Sequence, residues 1–352
     1  MLPYYVLIGV PAVWALFNNL SVKKKDTKKI ITFFFVLLMA LLALRHISCG
    51  IDLINYEFFF EVAEKYPFEN RQGLEWGYHI FETLIAVITK NFRAFLVIVS
   101  IVSMVPLLVL YKKESDIPYL TVILFVTLAP FSMFFSGLRQ ALAMIFVVPA
   151  YYCTKNKRPL LFILCVIGAY LFHNSAFVLL ALYPLYHVRV KRLHLLGIIP
   201  ALVFVFIFRE AIFTFLMNFL GEKYLEKYSV IEDTGAYTVF FALLLFFLFS
   251  YFITKDTELD YDTVGLRNVL FLSVFIQSFA SVHSLAMRMN YYFLLLLPII
   301  IPRLCKNHSE KNEKLVKFAV IVMSVGLTVA FFWKAYTGED ALQLYPYYPF
   351  WA

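Results

Sequence analysis

Charged residues are scarce in this chain. They make up 15% of its 352 positions, against about 25% in an ordinary soluble domain. Cysteine is scarcer still: Cys49, Cys153, Cys165 and Cys305 form no CxxC pair. Their spread suits neither a zinc site nor a disulfide framework. No glycine-rich phosphate loop or dinucleotide fingerprint occurs, so nothing suggests a nucleotide donor. Ser175 lacks the GxSxG setting of a hydrolase nucleophile. Strict apolar–polar alternation is missing as well, which argues against a transmembrane β-barrel. We find no internal repeat and no low-complexity tract.

What is present is apolar. Hydrophobic residues make up 62% of the chain, and mean hydropathy is +0.78. They fall in runs of roughly membrane length, and a helix needs about 20 residues to cross the hydrocarbon core. Helices satisfy their own backbone hydrogen bonds, which lipid cannot do. We therefore expect an all-α polytopic membrane protein with about 12 transmembrane helices. The runs lie near residues 2–20, 30–44, 94–111, 118–135, 138–153, 159–173, 175–187, 195–208, 236–253, 267–282, 289–303 and 315–334. Residues 2–20 are read as a retained span, because no basic residue precedes them and no small-residue cleavage site follows.

Lysine and arginine orient the spans. The cluster Lys23, Lys24, Lys25, Lys28 and Lys29 is expected in the cytoplasm, which puts both termini outside. The net charge of +8 then reflects membrane orientation, not nucleic acid binding. One loop fits poorly: residues 254–267 carry Asp256, Glu258, Asp260 and Asp262 against Lys255 and Arg267, yet alternation puts them inside. The whole chain, 1–352, is read as one polytopic domain with two long extracytoplasmic segments. Segment 45–93 is expected to hold an interfacial or re-entrant helix near 76–89. Segment 209–235 is expected to hold an amphipathic surface helix built on Ile212, Phe215, Leu216, Phe219 and Leu220, with Glu222, Lys223, Glu226 and Lys227 beyond it.

Ionisable groups at membrane depth are costly and usually mark a site. Arg45, Asp52, Glu75, His79, Glu82, Arg139, Gln140, His173, Asn174, His283, Arg288 and Asn290 all fall on the outer side of this arrangement, which suggests one cavity opening outward. Arg139 has two readings: a fork of donors for phosphate or carboxylate, or a structural ion pair with Glu75 or Asp52. His173 is either a capping residue or a base and ligand. Asp52 and Tyr56 share a helical face, as do Glu75, His79 and Glu82. The acidic residues Glu57, Glu61, Glu64 and Glu69 are read as solvated.

In their order and spacing, these segments resemble a known family. They are Leu44-Arg45 followed by Gly50-Ile51-Asp52 and Tyr56; Glu75-Trp76-Gly77-Tyr78; Gly137-Leu138-Arg139-Gln140-Ala141-Leu142-Ala143; Phe172-His173-Asn174-Ser175-Ala176; and Arg288 with Tyr291 and Tyr292. The resemblance is to the EpsG-like family of bacterial polysaccharide polymerases, Wzy-type in role. It implies a GT-C-like architecture in the bacterial cytoplasmic membrane. It also implies polymerisation of polyprenyl-pyrophosphate-linked oligosaccharide units into exopolysaccharide, capsule or O-antigen at the outer face. Catalytic candidates are Asp52, Glu75 and His173. Substrate-binding candidates are Arg45, Tyr56, Tyr78, Arg139, Gln140, Asn174, Arg288 and Tyr291, with Arg139 and Arg288 on the pyrophosphate. No cofactor and no metal are expected. The partners implied are the lipid-linked oligosaccharide, the bilayer and other polysaccharide export proteins, and no nucleic acid. A flippase for the same lipid-linked substrate, or a glycan ligase, are the alternatives.

Overall fold

The structure is a computed structural model and describes residues 2–20, 28–67, 69, 73–128, 131–220, 237–308, 310–337 and 344–352. Among these, every regular element is helical, and extended backbone pairs only in an isolated bridge between Arg45 and Pro349. Lys23, Lys24 and Lys25, and the surface charges Glu222, Lys223, Glu226 and Lys227, lie outside the described residues.

The chain forms two compact units, Met1–Phe177 with Ala319–Ala352, and Val178–Phe318. The first unit holds α1 (Leu2–Leu20), α2 (Lys29–Leu44), α3 (Leu53–Lys65), α4 (Trp76–Thr89), α5 (Phe92–Glu114), α6 (Pro118–Thr127), α7 (Met133–Ser136), α8 (Leu138–Met144), α9 (Val147–Lys155) and α10 (Pro159–Phe172). Helices α2, α5 and α6 share aromatic packing, with Phe35 at 5.6 Å from Tyr111 and 5.3 Å from Phe125. Lipid is as apolar as leucine, so contacts of this kind hold by close packing and not by exclusion of water.

Helix α3 shows how the sequence directs burial. Leu53, Tyr56, Phe60 and Ala63 recur at spacings of three and four, which places them on one face. That face is buried with Ile85 of α4 and Phe95 of α5. Of the four acids expected to be solvated, Glu61 and Glu69 are exposed, and Glu57 and Glu64 are half-buried. Asn91 starts α5 by accepting the N–H groups of Arg93 at 2.8 Å and Ala94 at 3.2 Å.

The second unit holds α11 (Leu182–His187), α12 (Leu195–Ile207), α13 (Arg209–Leu220), α14 (Tyr237–Ile253), α15 (Tyr261–Gln277), α16 (Ser284–Leu294) and α17 (Leu297–Lys306), and α18 (Glu313–Thr337) follows. In α13 Phe215 and Leu216 are exposed, while Phe213 is buried against Phe279 and Ala280.

Several apolar runs are broken. Among the described residues, α5 and α18 are each long and apolar enough to cross a membrane. Two bent pairs qualify together, Arg192–Ile207 with Arg209–Leu216 at 78°, and Ser284–Leu294 with Leu297–Lys306 at 53°. Helices α2, α6, α10 and α14 are apolar but shorter. Proline accounts for some of the breaks. Pro149 has no N–H for the carbonyl of Ile145, and the run 138–153 turns at Ile145 and Phe146. Pro298 breaks the run 289–303 at Leu295 and Leu296 in the same way.

The acidic loop 254–267 also resolves. Asp260 caps α15 by accepting the N–H of Thr263 at 2.6 Å, so the helix begins at Tyr261 and not near 267. Arg267 is therefore inside a helix and fully buried. It donates to Asp256 and to the Val190 carbonyl, both at 3.0 Å, and lies 3.7 Å over the Tyr251 ring. The Arg192 N–H donates to Asp256 at 2.6 Å, and Arg303 donates to Asp262 at 3.0 Å. Asp256 and Asp262 pair with arginines and Asp260 caps a helix, so the number of acids says little about which side of a membrane they face.

This arrangement gives a pH prediction. Burial alone would raise the Asp256 carboxyl, but the Arg192 N–H and the Arg267 guanidinium outweigh it and hold it below the ordinary aspartate value. A depressed carboxylate stabilises the fold above its unfolded pKa, and that contribution fades as pH falls through the folded value. Asp256→Asn should lower the thermal midpoint at pH 7, and the gap to wild type should close in acid. A constant gap across the titration would rule out the charge as the cause.

Candidate functional site

The motif segments 50–56, 73–82, 133–140 and 172–176 meet in the first unit. Arg139, at the second position of α8, donates through Nη1 to Glu75 Oε2 at 2.8 Å and to the Gly73 carbonyl at 3.0 Å. The pair is only partly shielded, with side-chain exposures of 29% for Arg139 and 11% for Glu75. The other oxygen of Glu75 accepts the backbone N–H of Asn174 at 3.4 Å. One carboxylate thus ties the start of α4 to the start of α8 and to the turn after α10.

That turn is itself ordered. The Ser175 N–H donates to His173 Nδ1 at 3.3 Å, and the Ser175 hydroxyl lies 2.7 Å from the same nitrogen. Nδ1 is therefore an acceptor, and a neutral ring carries its proton on Nε2. Gly77 explains the approach of α4 to α10. A Cβ there would sit 2.8 Å from the Leu171 carbonyl oxygen, closer than a side chain tolerates.

Asp52 faces the other end of the cluster. Its Oδ2 accepts the Ser136 hydroxyl at 3.2 Å, and its backbone N–H donates to Ser136 Oγ at 3.2 Å. Ser136 was absent from the expected site. The signal for it was its position directly before the Gly137–Ala143 motif. Tyr56, one turn beyond Asp52, accepts the Arg139 N–H at 3.5 Å. Burial pushes its phenol above the ordinary tyrosine value, and the Arg139 guanidinium pulls it back. Its ring lies 5.8 Å from Tyr78, whose hydroxyl donates to the buried Glu82 at 3.0 Å. Gln140 is buried beside Arg139 in the chain. The cluster therefore holds one partly exposed guanidinium, paired with Glu75, and a second carboxylate, Asp52, bonded to Ser136.

Arg45 lies elsewhere in this unit. It is 1% exposed, with its guanidinium 5.6 Å over the Phe135 ring and donating to the Leu42 carbonyl. Its Nε and Nη2 have no hydrogen-bond partner among the described residues. The C-terminal segment closes over it. His46 donates to the Tyr348 carbonyl and Phe350 to the Leu44 carbonyl, both at 2.8 Å, and the Tyr347 hydroxyl donates to the Leu41 carbonyl at 3.0 Å. Arg45, a substrate-binding candidate, thus lies buried in this corner beneath the C-terminal segment.

The model of the EpsG family matches residues 28–348. The chain belongs to the EpsG family. No curated protein and no solved structure matches it. Membership makes this EpsG-family chain a membrane enzyme of polysaccharide synthesis, of the polymerase type. The match also takes in most of the Tyr345–Pro349 run that packs on Arg45.

Two expected site residues, Arg288 and Tyr291, belong to the second unit, on α16. Arg288 is exposed. Behind them, Asn290 is fully buried and donates to Gln277 Oε1 at 2.7 Å and to the Ser273 carbonyl at 3.1 Å, and it accepts the Ser273 hydroxyl at 2.8 Å. His283 caps the same helix by accepting the Leu285 N–H at 2.9 Å. Both polar residues are thus explained by helix capping and packing. Among the described residues, no group of three or more His, Cys, Asp or Glu side chains is placed to hold a metal.

Proposed function

We propose that this chain joins lipid-linked oligosaccharide repeat units by glycosyl transfer at the outer face of a bacterial cytoplasmic membrane. The observation that carries the reading is the Arg139–Glu75 pair, tied by hydrogen bonds to Tyr56 and Asn174, with Asp52 bonded to Ser136 in the adjoining segment. In this mechanism Arg139 leaves Glu75 to bind the donor pyrophosphate, a bidentate match for guanidinium. The anomeric C–O bond breaks with its electrons passing to the pyrophosphate oxygen, where Arg139 stabilises the new charge. The acceptor hydroxyl oxygen forms the new bond to the anomeric carbon, and its proton goes to Glu75 or Asp52. One displacement inverts the anomeric centre. The ion pair does double duty: it holds Arg139 in place before substrate arrives, and it frees a carboxylate when the arginine moves to phosphate. About twelve crossings, with both termini outside, complete the proposed topology.

The test is reconstitution. The purified full chain in liposomes is given the polyprenyl-pyrophosphate-linked repeat unit from its own host. Growth of a glycan ladder with release of polyprenyl pyrophosphate is the expected result. Movement of the unit across the bilayer without lengthening would make the chain a flippase. Transfer of a single unit to a non-glycan acceptor would make it a ligase.

A further inference from the structure

A cleft of about 290 Å³ opens beside the ion pair, between the start of α4 and the end of α10, and is lined by Glu75, Trp76, Tyr170, Leu171 and Asn174. That is at the small end of ligand pockets, which run from about 300 to 1,000 Å³. Trp76 is 67% exposed and Tyr170 47%. Both line the cleft in which the Glu75 carboxylate and Asn174 also lie. No lysine or arginine lines it.

We propose that this cleft is a sugar subsite, holding the acceptor ring against Trp76 and Tyr170 with a hydroxyl at Glu75. The inference rests on the polymerase reading and adds a place and two further residues to it. Its chemistry follows from what the lining presents. A pyranose has apolar C–H faces, which pack on aromatic rings, and hydroxyls at its rim, which pair with carboxylate and carboxamide groups. A lining with a carboxylate and no cation disfavours phosphate, so the lipid pyrophosphate belongs at Arg139 and the uncharged ring at Glu75. A tryptophan in a membrane-interface belt would give exposure too, but a belt has no need of an acid and an amide converging on the same cleft. The end of α10 is held against α4 by the close approach of Gly77 to Leu171, which sets the width of the cleft.

The experiment measures binding without turnover. The probe is the free single repeat unit, released by hydrolysis from the host's own surface glycan and titrated onto the full chain in lipid nanodiscs. Saturation-transfer NMR should show the strongest transfer to the C–H protons of one ring. Trp76→Leu and Tyr170→Leu, which keep apolar bulk and remove the ring, should each weaken the dissociation constant about tenfold. Trp76→Phe should stay within about threefold. Binding unchanged in both leucine variants, or no transfer to any sugar proton in the wild type, overturns the proposal. The two readings fail separately. A chain that binds through Trp76 but makes no polymer keeps the subsite and loses the polymerase. A chain that makes polymer while both leucine variants bind like wild type does the reverse.

Discussion

Replacing Arg139 by alanine is expected to collapse the surface glycan from a ladder to single repeat units. A single preorganised donor on a developing oxyanion contributes about 10²–10³-fold in rate, so chain growth should fall by that factor while the protein still reaches the membrane. Arg139→Lys should rescue poorly, because a lysine is a point charge and cannot grip a pyrophosphate with a fork. The competing account is that Arg139 only satisfies Glu75, with which it pairs at 2.8 Å. Exchanging the two residues, Glu75→Arg with Arg139→Glu, separates these accounts. The exchange keeps an ion pair between α8 and the start of α4 but moves the cation off its place. A structural pair predicts a restored ladder. A phosphate clamp at Arg139, or a base at Glu75, predicts a folded protein that still makes single units. A normal ladder in Arg139→Ala would remove the anion binder altogether.

Much of the helical layout was legible in the sequence, for a physical reason. Lipid demands long apolar stretches, and those stretches dominate the composition. The helix expected at 76–89 is α4, and the first run is α1. The interruptions were not legible. Hydropathy stays high across Ile145-Phe146 and Leu295-Leu296, so an apolar run gives no sign of where its hydrogen-bond ladder stops. Proline two or three residues on was the usable signal. The run 175–187 was misjudged in kind as well, since it begins as a 3-10 helix over Asn174–Ala181. Arg267 shows a different failure. Charged residues mark loops, yet a cap at Asp260 draws this one into a helix.

The candidate site was legible in part because its residues sit in short local patterns whose order could be compared with a family. Glu75, Arg139, Tyr56 and Asp52 do meet. Ser136 borders a motif, but its pairing with Asp52 was not visible, since the two are separated by 84 positions. The cover over Arg45 was not visible for the same reason. Part of that cover comes from the far end of the chain, in a Tyr-Pro-rich run with neither helical nor strand periodicity. Burial of a cation cannot be read from its own segment when the cover arrives from some 300 residues away.

Gly50→Ala is expected to have the largest effect on stability of any single methyl addition to the first unit. Gly50 has φ of +131°, a region that side chains rarely enter, and a Cβ there would lie 2.3 Å from the Phe135 carbonyl oxygen. The atom it meets is backbone, so relief requires two chain segments to part. Strain and clash together should cost about 2–4 kcal/mol, seen as a fall in the thermal midpoint of the purified protein. Gly73→Ala is the control. It shares a positive φ, at +87°, but nothing lies within 4 Å of its Cβ, so only strain of about 1 kcal/mol remains. The consequence for activity is larger than the loss of stability. Phe135 precedes Ser136, and Gly50 precedes Asp52 by two residues, so parting the segments breaks both 3.2 Å bonds between Asp52 and Ser136. Glycan synthesis should therefore fall at temperatures where the variant is still folded. If Gly50→Ala melts like Gly73→Ala and makes a normal ladder, the loop does not rest on the Phe135 backbone. Asp52 would then not be held by Ser136, and the case for it as the base would pass to Glu75.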